Sequence, residues 1–316
     1  MSINLRPLIA IVGPTAVGKS RLALHLAQAL DGEIVNADSR QVYRFMDIGP
    51  AKCTAEERAL TLHHLLDVRN PDEEFSLSAF LELAHKAIEE IHRRNKLPIL
   101  VGGTGQYLWA LLEGWQVPKV APNPALRADL EFQAQRRGAW ALYMLLQAVA
   151  PETAKDIDSQ NARRIIRALE LHFARSPGGK AKAPEGRHAL ILGLTLERKE
   201  LYRRIDARAE AMMGEGLLAE VRGLLARGYS LDLPAMSGVG YQEMGLHLSG
   251  GLTLDEALGR MKSRTHALAR RQYTWFRLKD PRIRWLVADG AELEAGLAMA
   301  REHLSGCDKI SSKGGV

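Results

Sequence analysis

Along the first third of the chain, unbroken apolar runs alternate with segments whose apolar residues recur every three or four positions. "PLIAIV" (7–12) has no polar interruption, as a strand buried on both faces requires. Over 18–30 the period lengthens, and Leu22, Leu26 and Leu30 mark one face of a helix. "GEIVNADS" (32–39) predicts a second short strand ending at Asp38. Residues 76–94 predict a helix carrying Leu77, Phe80, Leu81, Ala84 and Ile88. "LPILVGGTG" (97–105) predicts a third strand that breaks into a glycine turn holding Thr104, with a helix after it. This alternation implies an α/β fold, a parallel sheet flanked by helices, with ligands beyond the carboxyl ends of the strands. The loop after residue 12, Asp38 and Thr104 all follow strand ends, so they are expected to converge.

The pattern changes at "VPKVAPNP" (117–124), after which helical spacing runs to about residue 174. "RSPGGKAKAPEG" (175–186) reads as a loop, and "HALILGLTLE" (188–197) restores a strand. The expected organisation is a discontinuous α/β core of residues 1–117 and 189–304. An all-helical insertion occupies 118–188, and 305–316, polar and Gly-rich, form a frayed tail.

Composition is that of a globular protein, 46% hydrophobic and 25% charged. Cys53 and Cys307 are too few for a disulfide framework or a four-ligand zinc site, and a reducing cytoplasm fits. The apolar run near the N-terminus is too short for a signal sequence or a membrane span, so no membrane partner is expected. Charge changes the picture. Residues 260–284 hold nine Lys/Arg against one Asp, and removing this +8 from the chain's +6 leaves about −2 for the rest. Tyr273, Trp275 and Phe276 lie among those cations, a combination suited to RNA.

"GPTAVGKS" (13–20) fits G-x-x-x-x-G-K-[ST] between a predicted strand and a predicted helix. The backbone N–H groups of Gly13, Pro14's neighbours Thr15, Ala16 and Val17, and Gly18 suit phosphate oxygens, as does the start of the helix. Lys19 adds a charge, and the Ser20 hydroxyl suits Mg²⁺. A P-loop NTPase-like sheet is therefore expected. Neither a guanine-specificity motif nor an apolar strand ending in a Walker-B acid accompanies it, apart from the strand that stops at Asp38. Locally, Asp38 reads equally as a helix cap or as a buried general base. Thr104 reads as a turn residue or as a hydroxyl beside the phosphates. His63 and His64 lack further partners at metal-ligand spacing and read as packing or hydrogen-bonding residues.

"GPTAVGKS", "DSRQVYRFMDIG", "HHLLDVRNPDEEFS", "PILVGGTGQYLWAL", "NARRIIRALE", "VGYQEM" and "RRQYTWFR" occur in this order. Together they resemble the bacterial tRNA dimethylallyltransferases (tRNA isopentenyltransferases), over about residues 7–285. The resemblance implies transfer of a dimethylallyl group from dimethylallyl diphosphate to N6 of the adenosine 3′ to the anticodon. On that reading the P-loop holds the leaving diphosphate, Asp38 is the general base, Thr104 sits at the reacting centre and Mg²⁺ is the cofactor. The tRNA anticodon stem-loop is then the partner of a cytoplasmic monomer. Asp38, Ser39, Arg40 and Gln41 are implied to meet the extruded base and its neighbours. Further tRNA contacts are implied at Gln160, Asn161, Ala162, Arg163 and Arg164, at Ser237, Gly238, Val239, Gly240, Tyr241 and Gln242, and at Arg127. The last implied group is Arg270, Arg271, Gln272, Tyr273, Thr274, Trp275, Phe276 and Arg277. Plainer readings stand beside these: Arg163, Arg164 and Arg167 as the wet face of an amphipathic helix, and Trp275 and Phe276 as core.

The chain departs from the family pattern at Pro50 and Cys53, at Ser237 where Arg is usual, and at Gln242 where a basic contact is expected. Two other functions remain open at this point: an enzyme acting on free nucleotides, and an RNA-binding ATPase switch. The helical insertion and the +8 segment favour the tRNA enzyme, because a free nucleotide needs no extended cationic surface.

Overall fold

A computed structural model describes residues 6–118, 120, 123–174, 181–182 and 188–313. The chain divides into two compact units, Met1–Glu113 with Glu185–Val316, and Gly114–Pro184.

The first unit is built on a six-stranded parallel sheet. Its strands are β1 (Leu8–Val12), β2 (Gly32–Asn36), β3 (His63–His64), β4 (Leu97–Val101), β7 (Ala189–Thr195) and β8 (Ile283–Val287). They lie in the order β3-β2-β4-β1-β7-β8. β1 is central, with Ile9 opposite Ile99 on one side and Leu190 on the other, and all five of its residues are buried. A strand covered on both faces has no use for polar alternation, which is why it reads as a continuous apolar run.

Helices α1 (Lys19–Ala29), α2 (Ala55–Leu60) and α3 (Leu77–Arg93) connect the first four strands, and α4 (Gly105–Leu112) follows β4. Ser76 caps α3 by accepting from Ala79 N at 3.2 Å, and Phe80, Leu81, Ala84, Ala87, Ile88 and Ile91 form its buried stripe. After β7 come α9 (Arg198–Gly214), α10 (Leu217–Ala226), a 3₁₀ turn at Ala235–Ser237, α11 (Tyr241–Leu248) and α12 (Leu254–Trp275). These helices have a second core of their own, with Val42, Tyr43 and Met46 packed against Met212, Leu217, Tyr241 and Met261. That cluster ties the segment after Asp38 to the helices that close the site. No helix among the described residues is long and apolar enough to cross a membrane.

The second unit packs α5 (Pro124–Arg137), α6 (Ala139–Val149), α7 (Pro151–Lys155) and α8 (Ala162–Phe173) around Leu130, Leu142, Leu146, Ile165, Ile166 and Leu169. β5 (Trp115–Gln116) and β6 (Ala181–Lys182) pair antiparallel and join its two ends. The unit therefore opens at Gly114 and closes at Pro184, a few residues before the 118 and 188 suggested by composition. The loop expected over 175–186 falls outside the described residues except at β6.

One expectation differs from the structure, and two strands were not anticipated. α13 (Glu292–Lys313) continues through the expected tail, because adding turns to a helix already anchored by Leu297 and Ala300 is cheap. β8 starts at the very end of the basic stretch, and with Ile283 and Leu286 buried but Arg284 and Val287 exposed it has no period of two for the sequence to show. β3 is the short edge strand formed by the histidine pair. His64 Nε2 lies 2.7 Å from the buried Glu33 carboxylate and His63 Nδ1 lies 3.0 Å from the Thr61 carbonyl, so both are hydrogen-bonding residues.

Candidate active site

The phosphate-binding motif turns between β1 and α1. Gly13 sits at φ +141°, and a Cβ there would stand 2.5 Å from the Leu194 carbonyl, so only glycine allows β7 this close. Gly18 at φ +103° precedes α1 with no side-chain cap, leaving the first N–H groups of the helix for an anion. Lys19 folds back to donate to the Pro14 carbonyl at 2.7 Å. Thr15 N donates to Gln272 Oε1 at 2.7 Å, and Gln272 Nε2 donates to the Gly103 carbonyl at 3.1 Å. One buried glutamine from α12 thus bridges the loops after β1 and β4. A side chain at Gly103 would overlap its amide.

Asp38 follows β2. The carboxamide of the buried Asn36 accepts from Asp38 N at 3.0 Å and donates to the Asp38 carbonyl at 3.2 Å. Asp38 Oδ1 accepts from Arg40 N at 2.8 Å, and Thr104 Oγ1 accepts from Ser39 N at 3.0 Å. Thr104 therefore keeps its own proton for another acceptor.

A cavity of about 410 Å³ joins these parts. Of the residues singled out from sequence, Thr15, Ala16, Asp38, Ser39, Arg40, Thr104, Ser237, Gly238, Val239, Tyr241, Arg271, Gln272 and Trp275 line it. Ile205, Ala209, Met212, Met261 and Leu268 supply an apolar wall from α9 and α12.

Arg208 also lines the cavity, with Asp38 and Glu215 as the acids that attract it and no hydrogen bond or salt bridge among the described residues. It escaped the sequence reading, although an arginine within the i, i+3, i+4, i+7 stripe Ile205, Arg208, Ala209, Met212 is a visible break in an apolar face. Burial pushes the Lys19 ammonium down from 10.5 to about 8; Arg208 acts in the same sense and Asp38 opposes. An anion bound here restores the charged form, so binding takes up a proton when the pH exceeds 8. Affinity for an organic diphosphate is expected to hold up to pH 8 and then fall by up to about tenfold per pH unit. Titration calorimetry from pH 7 to 9.5 checks this, and an affinity that stays flat to pH 9.5 contradicts it.

Hydrogen bonds in and around the cavity wall hold the site together. Gln41 Nε2 donates to the Pro50 and Ala51 carbonyls at 3.0 and 3.2 Å. Gln242 Nε2 donates to the Leu231 carbonyl at 2.7 Å, an internal use of the position where a basic contact is usual. Arg40 reaches the Pro234 and Ala235 carbonyls and donates to Ser237 Oγ at 3.0 Å, so the serine accepts from an arginine instead of repelling it. Arg264, also missed, pairs with the buried Glu243, which in turn accepts from Gly240 N at 2.8 Å. Glu220 collects Asp47 N, Ile48 N, Gly49 N and the Tyr241 hydroxyl, fixing the loop before Pro50. The Cys53 thiol is pushed up by burial and lines a neighbouring hollow of about 820 Å³ with Arg44, Phe45 and Arg58.

The basic-aromatic stretch splits by helical face. Phe276 is core, and Tyr273 bonds Thr195 at 2.9 Å. Arg270 donates to the Tyr202 hydroxyl at 2.9 Å, while Arg271, Thr274 and Arg277 are exposed. In the second unit, Asn161 caps α8 by accepting from Arg164 N at 3.2 Å, and Gln160 N donates to Asp158. Arg163 and Arg164 are exposed opposite the buried Ile165, Ile166 and Leu169, next to Ala162 in the first turn. Arg127 is instead engaged with the buried Glu170 through two hydrogen bonds of 2.7 and 3.0 Å.

Fold and cavity together define a P-loop α/β protein in which residues of the loop and the Asp38 carboxylate line one cavity. The IPP transferase family model matches residues 41–279, and the chain belongs to that family. It is 56% identical to the tRNA dimethylallyltransferase of Roseiflexus castenholzii over 91% of this chain and 94% of that protein. Among solved structures, the full-length tRNA isopentenylpyrophosphate transferase of Bacillus halodurans is 37% identical with a TM-score of 0.73. That comparison covers 98% of this chain and 99% of the other. A eukaryotic dimethylallyltransferase acting on tRNA gives 28% identity and a TM-score of 0.76, covering 97% of this chain and 80% of the other.

Proposed function

We propose that the chain transfers the dimethylallyl group of dimethylallyl diphosphate to N6 of adenosine 37, just 3′ of the anticodon in tRNA, giving N6-isopentenyladenosine and diphosphate. The observation that carries this reading is the convergence of the phosphate loop, Asp38 and Thr104 on a single cavity with an apolar wall. The loop's N–H groups, Lys19 and Arg208 hold the donor's diphosphate, and the five-carbon chain lies against Ile205, Ala209, Met212, Met261 and Leu268. As the N6 lone pair attacks the allylic carbon, the carbon–oxygen bond breaks towards the diphosphate. Asp38 accepts the N6 proton, and the Thr104 hydroxyl donates towards the departing oxygen. A stacked base does not reach such a cavity, so the adenosine is extruded from the anticodon loop.

Ser20 is an exposed residue in the first turn of α1, and the described residues contain no cluster of three or more Cys, His, Asp or Glu that could hold a metal. One hard oxygen beside a diphosphate fits Mg²⁺, which keeps water and phosphate as its other ligands. When bound, Mg²⁺ neutralises charge on the leaving group. The exposed Arg163, Arg164, Arg271 and Arg277 meet RNA phosphates, while Gln272, Tyr273 and Phe276 act from inside the protein. The enzyme is proposed to act as a cytoplasmic monomer.

Radiolabelled dimethylallyl diphosphate with Mg²⁺ and either undermodified tRNA or AMP tests the reading. Label is expected on tRNA at adenosine 37; label on AMP alone, or nucleotide hydrolysis without transfer, contradicts it. The exposed Arg271 guanidinium has no salt bridge among the described residues. Arg271→Ala should weaken tRNA binding and reduce the slope of log K against log salt by about one. An unchanged slope in filter binding from 50 to 300 mM salt (about sixfold in concentration) places Arg271 away from phosphate.

A further inference from the structure

We infer that Asn36 is a positioning residue for the transfer step, holding the backbone of Asp38 so that its carboxylate points at the reacting nitrogen. The inference rests on the reading of Asp38 as the base. Asn36 is the last residue of β2, paired in register with Val101 of β4, and its side chain is 3% exposed. Its single carboxamide meets both polar backbone groups of Asp38, accepting from the N–H at 3.0 Å and donating to the carbonyl at 3.2 Å. The same nitrogen donates to the Leu65 carbonyl at 3.1 Å, tying the turn to the segment after β3.

A planar amide gripping N–H and C=O of one residue leaves that residue's backbone little freedom to rotate. The adjacent positions are held by other means. Ala37 N donates to the Val101 carbonyl at 2.7 Å, Ser39 N to Thr104 Oγ1 at 3.0 Å, and Arg40 N to Asp38 Oδ1 at 2.8 Å. Asn36 is the buried side chain that acts on Asp38's own peptide groups. Without it the segment remains attached at 37 and 39, and the Asp38 carboxylate keeps only its bond from Arg40 N, so the peptide groups that aim it can rotate. Displacement of a reacting group by about 1 Å costs on the order of a hundredfold in rate. The effect belongs in the chemical step, since the side-chain hydrogen bonds of Asn36 go to Asp38 and Leu65 and not to the loop or the exposed arginines.

The test compares Asn36→Ala and Asn36→Ser with the parent enzyme, in single-turnover transfer to tRNA, in KM for both substrates and in thermal unfolding. Asn36→Ala is expected to lower the transfer rate by about 10- to 100-fold, with both KM values within about threefold. Serine offers one short acceptor to Asp38 N–H and is expected to recover most of that loss. A transfer rate within twofold of the parent in Asn36→Ala overturns the inference, as does a loss that tracks lowered Tm and raised KM in both variants. Asp38→Asn separates the two readings. If it transfers normally, the assignment of Asp38 falls and this inference with it; if it is inactive while Asn36→Ala is normal, only the role of Asn36 falls.

Discussion

Asp38→Ala is expected to lower kcat for transfer to tRNA by about 10²- to 10⁴-fold, the usual contribution of a general base, while tRNA affinity changes by less than about threefold. The separation follows from geometry. Asp38 is a half-buried cavity residue anchored by Asn36 and by Arg40 N, and the exposed arginines proposed to meet RNA phosphates are other residues. Thermal unfolding and filter binding accompany the kinetics. A large loss of tRNA affinity with little change in kcat would make Asp38 a base-recognition residue instead. Asp38→Asn keeps the shape and removes the negative charge, so it should be nearly as slow as alanine.

Lys19→Met is expected to reduce kcat/KM for dimethylallyl diphosphate by about 10²- to 10³-fold, since in the proposed reaction the ammonium faces charge that grows on the leaving group. The same variant should be more stable than the parent. The Lys19 ammonium is pushed down to about 8 by burial, so between that pH and its ordinary value of 10.5 the unfolded chain binds more protons than the folded one. Stability from this group therefore rises as pH increases from 8 to 10.5, and at neutral pH the buried charge costs the fold about 1–3 kcal/mol. Replacing it with an apolar chain of similar length removes that cost. Denaturant unfolding at pH 7 reads the gain, and a destabilised Lys19→Met would mean that its bond to the Pro14 carbonyl outweighs the burial.

The opposed effects on activity and stability mark a site arranged for a ligand. Lys19 and Arg208 are two cations near one another, and Asp38 is an opposing charge that acts on both. A diphosphate supplies the missing negative charge. ATP is the ordinary guest of such a loop; here the carboxylate, the hydroxyl and the apolar wall that share the cavity suit an allylic donor and an amine acceptor.

Much of this was legible before the fold was known. The phosphate loop is contiguous in the chain, and a strand buried on both faces announces itself as an apolar run. Asp38 and Thr104 were found because each follows such a run, and parallel strands deliver their carboxyl ends to one edge of the sheet. The ordered set of motifs then carried the resemblance that the comparisons bear out.

The basic-aromatic stretch shows where such reading stops. Gln272, Tyr273, Phe276, Arg270 and Arg271 lie within seven residues, yet the packing of α12 sends the first three inward and leaves the arginines at the surface. Local composition assigns all of them to RNA alike. Arg208 and Arg264 depend still more on distant neighbours, since each acts on a segment that only folding brings near, while Asn36 acts two residues along the chain but owes its burial to the fold. β3 and β8 are short edge strands stabilised by partners far along the chain, so their own residues barely predict them. Covalent spacing and hydrophobic period are local and survive in the sequence. The direction of each side chain, and hence which cation meets phosphate and which braces a loop, is set by packing between helices and sheet, and that only the tertiary structure decided.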